Sequence, residues 1–158
     1  MHIQGGKCIL FIFIILGFLI SEVFYLSKNS KAGINGVIIN EIAWMGTSES
    51  TSDEWIELKN NSDEEISLES WVLLARDGSP EIHLSGSIGA NAFFVLERSD
   101  DNTIPEITAD QVYTGALGNS GEYLELYDGA GSVIDFVDAS EAWPAGDNAT
   151  KQTMERTD

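Results

Sequence analysis

Carboxylates carry most of the chemistry this chain could perform. Glu54 and Glu57 are the nearest approach to the paired acids of a glycosidase. Such a pair must flank a sugar cleft at about 5–9.5 Å. Neighbouring positions on one strand, with no sign of a cleft, do not supply that. The acidic runs Asp53-Glu54, Asp63-Glu64-Glu65 and Asp100-Asp101, together with Asp128, raise the question of a cation. Calcium needs about six to eight converging oxygens. The sequence holds neither an EF-hand loop nor an Asp-x-Asp-x-Asp run, so solvated surface is the stronger expectation. Asp100-Asp101-Asn102 is the best cation candidate. His83 is the one histidine after residue 33. A serine triad would need it beside a nucleophile and an orienting acid, and its Ile82-His83-Leu84 setting reads as an ordinary strand. Gly-x-Ser-x-Gly, His-x-His and His-Glu-x-x-His are all absent. The glycine-rich Gly115–Gly121 opens a strand, not a helix whose N-terminus would hold phosphate. The expectation is no catalytic residue, no cofactor and no metal site.

Aromatic residues are the other chemical resource. Trp71 is expected to begin a strand, with Leu73 and Ala75 on its face, and to pack in the core. Burying such a side chain is worth about 1.5–3 kcal/mol. Trp55 lies opposite the Ile56/Leu58 face. Trp44 and Trp143 border loops, and Trp143-Pro144-Ala145-Gly146 looks like a closing turn. An exposed tryptophan pair would suit sugar or peptide, although large aromatics usually pack. Asn60-Asn61-Ser62 and Asn148-Ala149-Thr150 match the glycosylation acceptor pattern.

The elements that must position these residues are all strands. Val37, Ile38, Ile39, Ile42 and Trp44 form a β-branched and aromatic run. Met45–Ser52 is a small polar loop, and Trp55–Lys59 alternates, with Ile56 and Leu58 on one face. Further short apolar runs follow at Ile66–Leu68, Trp71–Ala75 and Ile82–Leu84. Ala92–Leu96 is the most apolar and is expected to be central. Val112-Tyr113 reads as a brief edge strand after a long polar loop from Arg98 to Asp110. Glu122–Tyr127 and Ser132–Val137 flank a hairpin turn at Asp128–Gly131. Many short strands, and no strand–helix–strand unit, predict an all-β sandwich or barrel and exclude a nucleotide-binding α/β fold. The first pair of strands reads as sandwich edge and core, with the Met45–Ser52 loop free to meet a partner.

Composition narrows the partners. The chain has 158 residues and a formal net charge of −18. Past Gly33, five cations face 25 acids, a net charge of −20. Phosphate backbones are bound by Lys and Arg clusters, so this surface excludes nucleic acid. The single cysteine, Cys8, rules out an internal disulfide.

Cys8 lies in an apolar run with a domain-like sequence after it. Cys8–Ile20 has no polar side chain, and Lys7 precedes it. Residues 1–32 read either as a signal peptide with cleavage after Ala32 or as a hydrophobic membrane-anchor helix. As an anchor, Cys8–Leu26 would span about 28 Å. Residues 33–36 form a linker, and 37–158 the soluble domain. The expected placement is membrane-anchored or secreted, with the domain outside the cytoplasm.

Several segments together resemble the lamin-tail domain. They are Val37–Trp44, Asp53-Glu54-Trp55-Ile56-Glu57-Leu58-Lys59-Asn60 and Ser67-Leu68-Glu69-Ser70-Trp71. Phe93-Phe94-Val95-Leu96-Glu97-Arg98, Leu117–Leu126 and Thr153-Met154-Glu155-Arg156 complete the set. The resemblance implies an immunoglobulin-like β-sandwich and is nearest to exported bacterial members. It implies an interaction or attachment module with no catalytic residues, whose partner is an unknown protein or cell-envelope component. The chromatin contacts of animal lamin tails do not carry over: Glu57 stands where the lamin pattern is basic. The alternative reading is a carbohydrate- or calcium-binding extracellular sandwich.

Overall fold

The computed structural model describes residues 36–105 and 107–157. Eleven strands run in chain order: β1 (Val37–Ala43), β2 (Trp55–Asn60), β3 (Ile66–Ser67), β4 (Val72–Ala75), β5 (Glu81–His83) and β6 (Ser87–Ile88). They continue with β7 (Phe93–Arg98), β8 (Gln111–Tyr113), β9 (Tyr123–Tyr127), β10 (Val133–Asp138) and β11 (Met154–Glu155). A five-stranded sheet has the order β11-β1-β2-β7-β8, and a four-stranded sheet the order β10-β9-β4-β5; β3 and β6 form a small ribbon. All pairs are antiparallel except β7 with β8. Among the described residues every regular element is a strand. The apolar run Cys8–Leu26, and the hydrophobic helix expected there, lie outside them.

The two sheets face each other across one apolar core, as an immunoglobulin-like sandwich requires. Ile56 and Leu58 of β2, Phe94 and Leu96 of β7, Leu73 of β4 and Leu124 and Leu126 of β9 meet there, all buried. The alternation that defines β2 in the sequence is the alternation of its burial. Trp71 directly precedes β4 and packs half-buried against this core.

Two expectations about strand position change. β1 is not an edge, because the C-terminal β11 pairs with it at Glu41 and Ile42. β2, not the more apolar β7, occupies the middle of its sheet, although β7 is flanked on both sides by β2 and β8. β1 also carries a bulge at Asn40. The extra residue shifts the side-chain phase, so Val37 and Ile39 point inward before it and Ile42 after it. This is how one strand buries both an odd and an even set of apolar residues. β8 is the brief edge strand expected at Val112-Tyr113, and β9 and β10 form the hairpin expected about Asp128–Gly131.

Each of two open sides of the sandwich is bridged by side chains that imitate ladder residues. At β8, Gln111 donates from Nε2 to the His83 carbonyl at 2.9 Å and accepts from the Ser85 N–H at 3.1 Å. At β10, Asp135 accepts the Ile39 N–H at 2.8 Å and pairs with Arg156 at 2.7 Å. Arg156 also donates to the Ile39 carbonyl, 3.2 Å away. Unpaired edge groups invite strand addition, and here both seams are occupied from within.

Candidate functional site

Glu54 and Glu57 point to opposite faces. Glu54 keeps the parity of Ile56 and Leu58, is 3% exposed, and pairs with Arg98 at 3.0 Å. Its other oxygen accepts the Leu117 N–H at 2.8 Å. Burial pushes its carboxyl above the usual range, while the Leu117 N–H and the Arg98 charge pull it back. Tyr113 shares this buried neighbourhood, and its hydroxyl is pushed up by burial and by the Glu54 charge. Among the described residues the Tyr113 hydroxyl has no hydrogen-bond partner. Glu54 therefore holds strand, loop and edge together. Gly115–Gly121 does cradle anions as a loop of free N–H groups would. The anions are the protein's own: Glu54 at Leu117, and Glu122 at Gly118 at 3.3 Å.

Glu57 lies on the outer face of the five-stranded sheet. Glu155, Glu41 and Glu57 follow one another across β11, β1 and β2 in direct register. Asn40 Nδ2 donates to Glu57 at 2.7 Å, and the Thr153 hydroxyl donates to Glu41. Burial first, then the charges of Glu41 and Glu155, raise the Glu57 carboxyl against the Asn40 hydrogen bond.

The loop tryptophans are partners of each other. The rings of Trp44 and Trp143 stack with centres 5.7 Å apart and planes within 2°. Trp44 Nε1 donates to the Ala145 carbonyl at 3.2 Å, and Trp143 Nε1 to the Gly118 carbonyl at 2.7 Å. Gly146, at φ +84°, lies so close that a Cβ there would meet Trp44 Nε1 at 2.8 Å. The pair is a clasp between the β1–β2 loop and the C-terminal segment. The same loop is less free than expected. Met45 and Gly46 are buried, the Met45 carbonyl accepts from Lys151 at 3.1 Å, and Thr47 Oγ1 donates to Asp53 at 2.7 Å. Only Ser48, Glu49, Thr51 and Ser52 stand exposed.

Asp100-Asp101-Asn102 turns one oxygen of each aspartate onto its own loop. Asp101 accepts the Ala109 N–H at 2.7 Å, and Asp100 accepts from Asn102 at 3.1 Å. The deeper anchor is Glu97, which the sequence reading passed over. It is fully buried and accepts the N–H groups of Thr103 and Ile104, each at 2.9 Å. Among the described residues no three of His, Cys, Asp and Glu converge as metal ligands. His83 is exposed and touches Glu81 at 3.1 Å.

The two acceptor patterns separate. Asn60 is fully buried, and its Nδ2 donates to the carbonyls of Glu64, Ile88 and Gly89. No glycan can be attached there while the fold is intact. Asn148 is exposed and meets Lys151 at 2.7 Å.

One surface escaped the sequence reading. On the outer face of the four-stranded sheet, register aligns Val133, Tyr127 and Val72 in one row and Phe136, Glu125 and Leu74 in the next. Phe136 is 53% and Val133 44% exposed. Tyr123 stacks with Phe136 at 5.9 Å and carries the Arg76 guanidinium 3.4 Å from its ring centre. The signal was in the Tyr123–Tyr127 alternation, whose outward set is Tyr, Glu, Tyr. Beside Phe136, between β10 and the C-terminal segment, runs a groove of about 360 Å³ floored by Ile39, Ile42 and Met154.

An all-β sandwich agrees with the family comparison. The model of the Lamin Tail Domain matches residues 30–141. The chain belongs to the lamin tail domain family. That family is one of non-catalytic, immunoglobulin-like domains for protein interaction. β11 and Trp143 lie beyond the matched span, yet they complete the five-stranded sheet and the tryptophan clasp. No curated protein matches the chain.

Proposed function

We propose that this lamin-tail domain is a non-enzymatic interaction or attachment module, exported or membrane-anchored, that works at the cell surface in the manner of exported bacterial members. The observation that carries the non-catalytic half is the spending of polar groups: Glu54, Glu97 and Glu122 all bind backbone N–H groups of their own chain. A general acid or base must reach a substrate proton, and these do not. The apolar run Cys8–Ile20 after Lys7 supports export or anchoring. A net charge of −20 past Gly33 supports a protein or envelope partner and disfavours nucleic acid.

Fractionation of the native cell, with an affinity pull-down from its envelope using the full chain as bait, tests this reading. The chain is expected in the membrane or outside the cell, with an envelope protein retained on it. Recovery of the intact chain in the soluble cytosol overturns the localisation. A bait that retains nothing overturns the interaction role.

A further inference from the structure

We propose that the outer face of the β10-β9-β4-β5 sheet docks a short cationic protein segment that also carries apolar side chains. This rests on the interaction role above and names the surface and the partner chemistry. The face is apolar where it is most exposed, at Phe136 and Val133, and acidic between and around these residues, at Glu125 and Asp138. From Glu122 to Glu141 the chain holds six acids and no Lys or Arg. Among the described residues, Arg156 offsets one of these six, Asp135, and the other cations off the face are engaged elsewhere: Arg98 pairs with Glu54, Lys151 caps Met45, and Lys59 lies over Phe93. Among the described residues the cation on the face is Arg76, and it shows how the surface receives a guanidinium: over Tyr123, 3.4 Å from the ring centre. Phe136, stacked beside that ring, is the neighbouring aromatic and remains half exposed.

Size and charge choose the occupant. Four strands at about 4.8 Å and five residues at about 3.3 Å give a face roughly 15–20 Å on a side. That fits one extended or helical segment and falls short of the roughly 800 Å² per partner of a stable complex between folded domains. A second copy of this chain would bring the same negative charge. The seams spanned by Gln111 and Asp135 leave the side chains of the face, not the strand edges, as the means of recognition.

The test uses the full chain and three labelled twelve-residue peptides: alternating Lys and Leu, alternating Glu and Leu, and Lys alone. Binding is read by anisotropy and the footprint by hydrogen exchange. The Lys–Leu peptide is expected to bind saturably, at least tenfold more tightly than either control, and to protect β9 and β10. Phe136→Thr is expected to weaken it at least tenfold, and Glu125→Gln with Asp138→Asn severalfold. Phe93→Thr, at the other exposed phenylalanine, should stay within twofold. Both phenylalanines are half exposed, and unchanged melting temperatures show that each variant folds. Equal binding of the controls, a footprint elsewhere, no binding, or indifference to Phe136→Thr overturns the proposal. An envelope partner that still binds the Phe136→Thr bait sinks this surface while the interaction role stands; a wild-type bait that retains nothing sinks that role itself.

Discussion

Glu41 stands directly opposite Glu57 in the β1–β2 ladder, and Glu155 stands opposite Glu41 on its other side. Like charges facing each other across strands are destabilising, by a few tenths to about 1 kcal/mol. This row is a built-in cost within the five-stranded sheet.

Glu57→Gln should therefore stabilise the domain at neutral pH by about 0.5 kcal/mol, because the amide oxygen still accepts from Asn40. The pH dependence has a definite sign. Glu57 is raised above its ordinary 4.5. Its protonated form is favoured by folding, so its contribution is full below about 4.5 and is lost as pH rises through the folded value. Urea unfolding at a series of pH values should show a shallower decline above pH 4.5 in the variant.

Arg98→Met should be far more costly than its partial exposure suggests. It would strand the Glu54 carboxylate in a site where only the Leu117 N–H remains as a partner. Breaking a buried pair from one side costs about 3–5 kcal/mol. The deficit should shrink as the pH is lowered, because Glu54 is already raised by burial and protonation removes the stranded charge. Replacing both residues, Glu54→Gln with Arg98→Met, should recover part of the loss in the same urea measurement.

Trp143→Ala removes the ring stacked on Trp44 and the hydrogen bond to Gly118. The expected loss is about 2 kcal/mol, with increased protease sensitivity at Ala145–Lys151. Trp143→Phe should restore most of the stack without the hydrogen bond. A loss in the phenylalanine variant equal to that in the alanine variant would mean that the stack contributes nothing.

Asn60→Ala should lower stability by several kcal/mol, since three carbonyls lose their donor in a buried site. Asn148→Ala should be nearly silent. Expressed through a glycosylating secretory route, the folded chain should gain mass at Asn148 alone, as read by mass spectrometry of its peptides.

The main strands were legible because alternation is a strong signal. Ile56 and Leu58 announced β2, and the Asp128–Gly131 turn announced the β9–β10 hairpin. The same parity also held information that composition obscured. Residues 54, 56, 58 and 60 are all buried, so Glu54 and Asn60 sit on the core face in spite of their polarity. Other features left no periodic trace. A bulge at Asn40 breaks the pattern that would reveal it, and a two-residue strand such as β11 is too short to have a period. Glu97 is buried where the loop after β7 turns back and gives it the N–H groups of Thr103 and Ile104, and that irregular loop has no period to announce it. The outward set of Tyr123–Tyr127 hinted at the outer face, but Phe136 and Val133 join it only when register sets β10 beside β9.

Gln111 and Asp135 close the two seams of the sandwich with side chains from within the same chain. Each bridge takes up backbone groups that an added strand would otherwise use: the His83 carbonyl and Ser85 N–H at one seam, the Ile39 N–H at the other. Those groups stay private to the molecule that owns them.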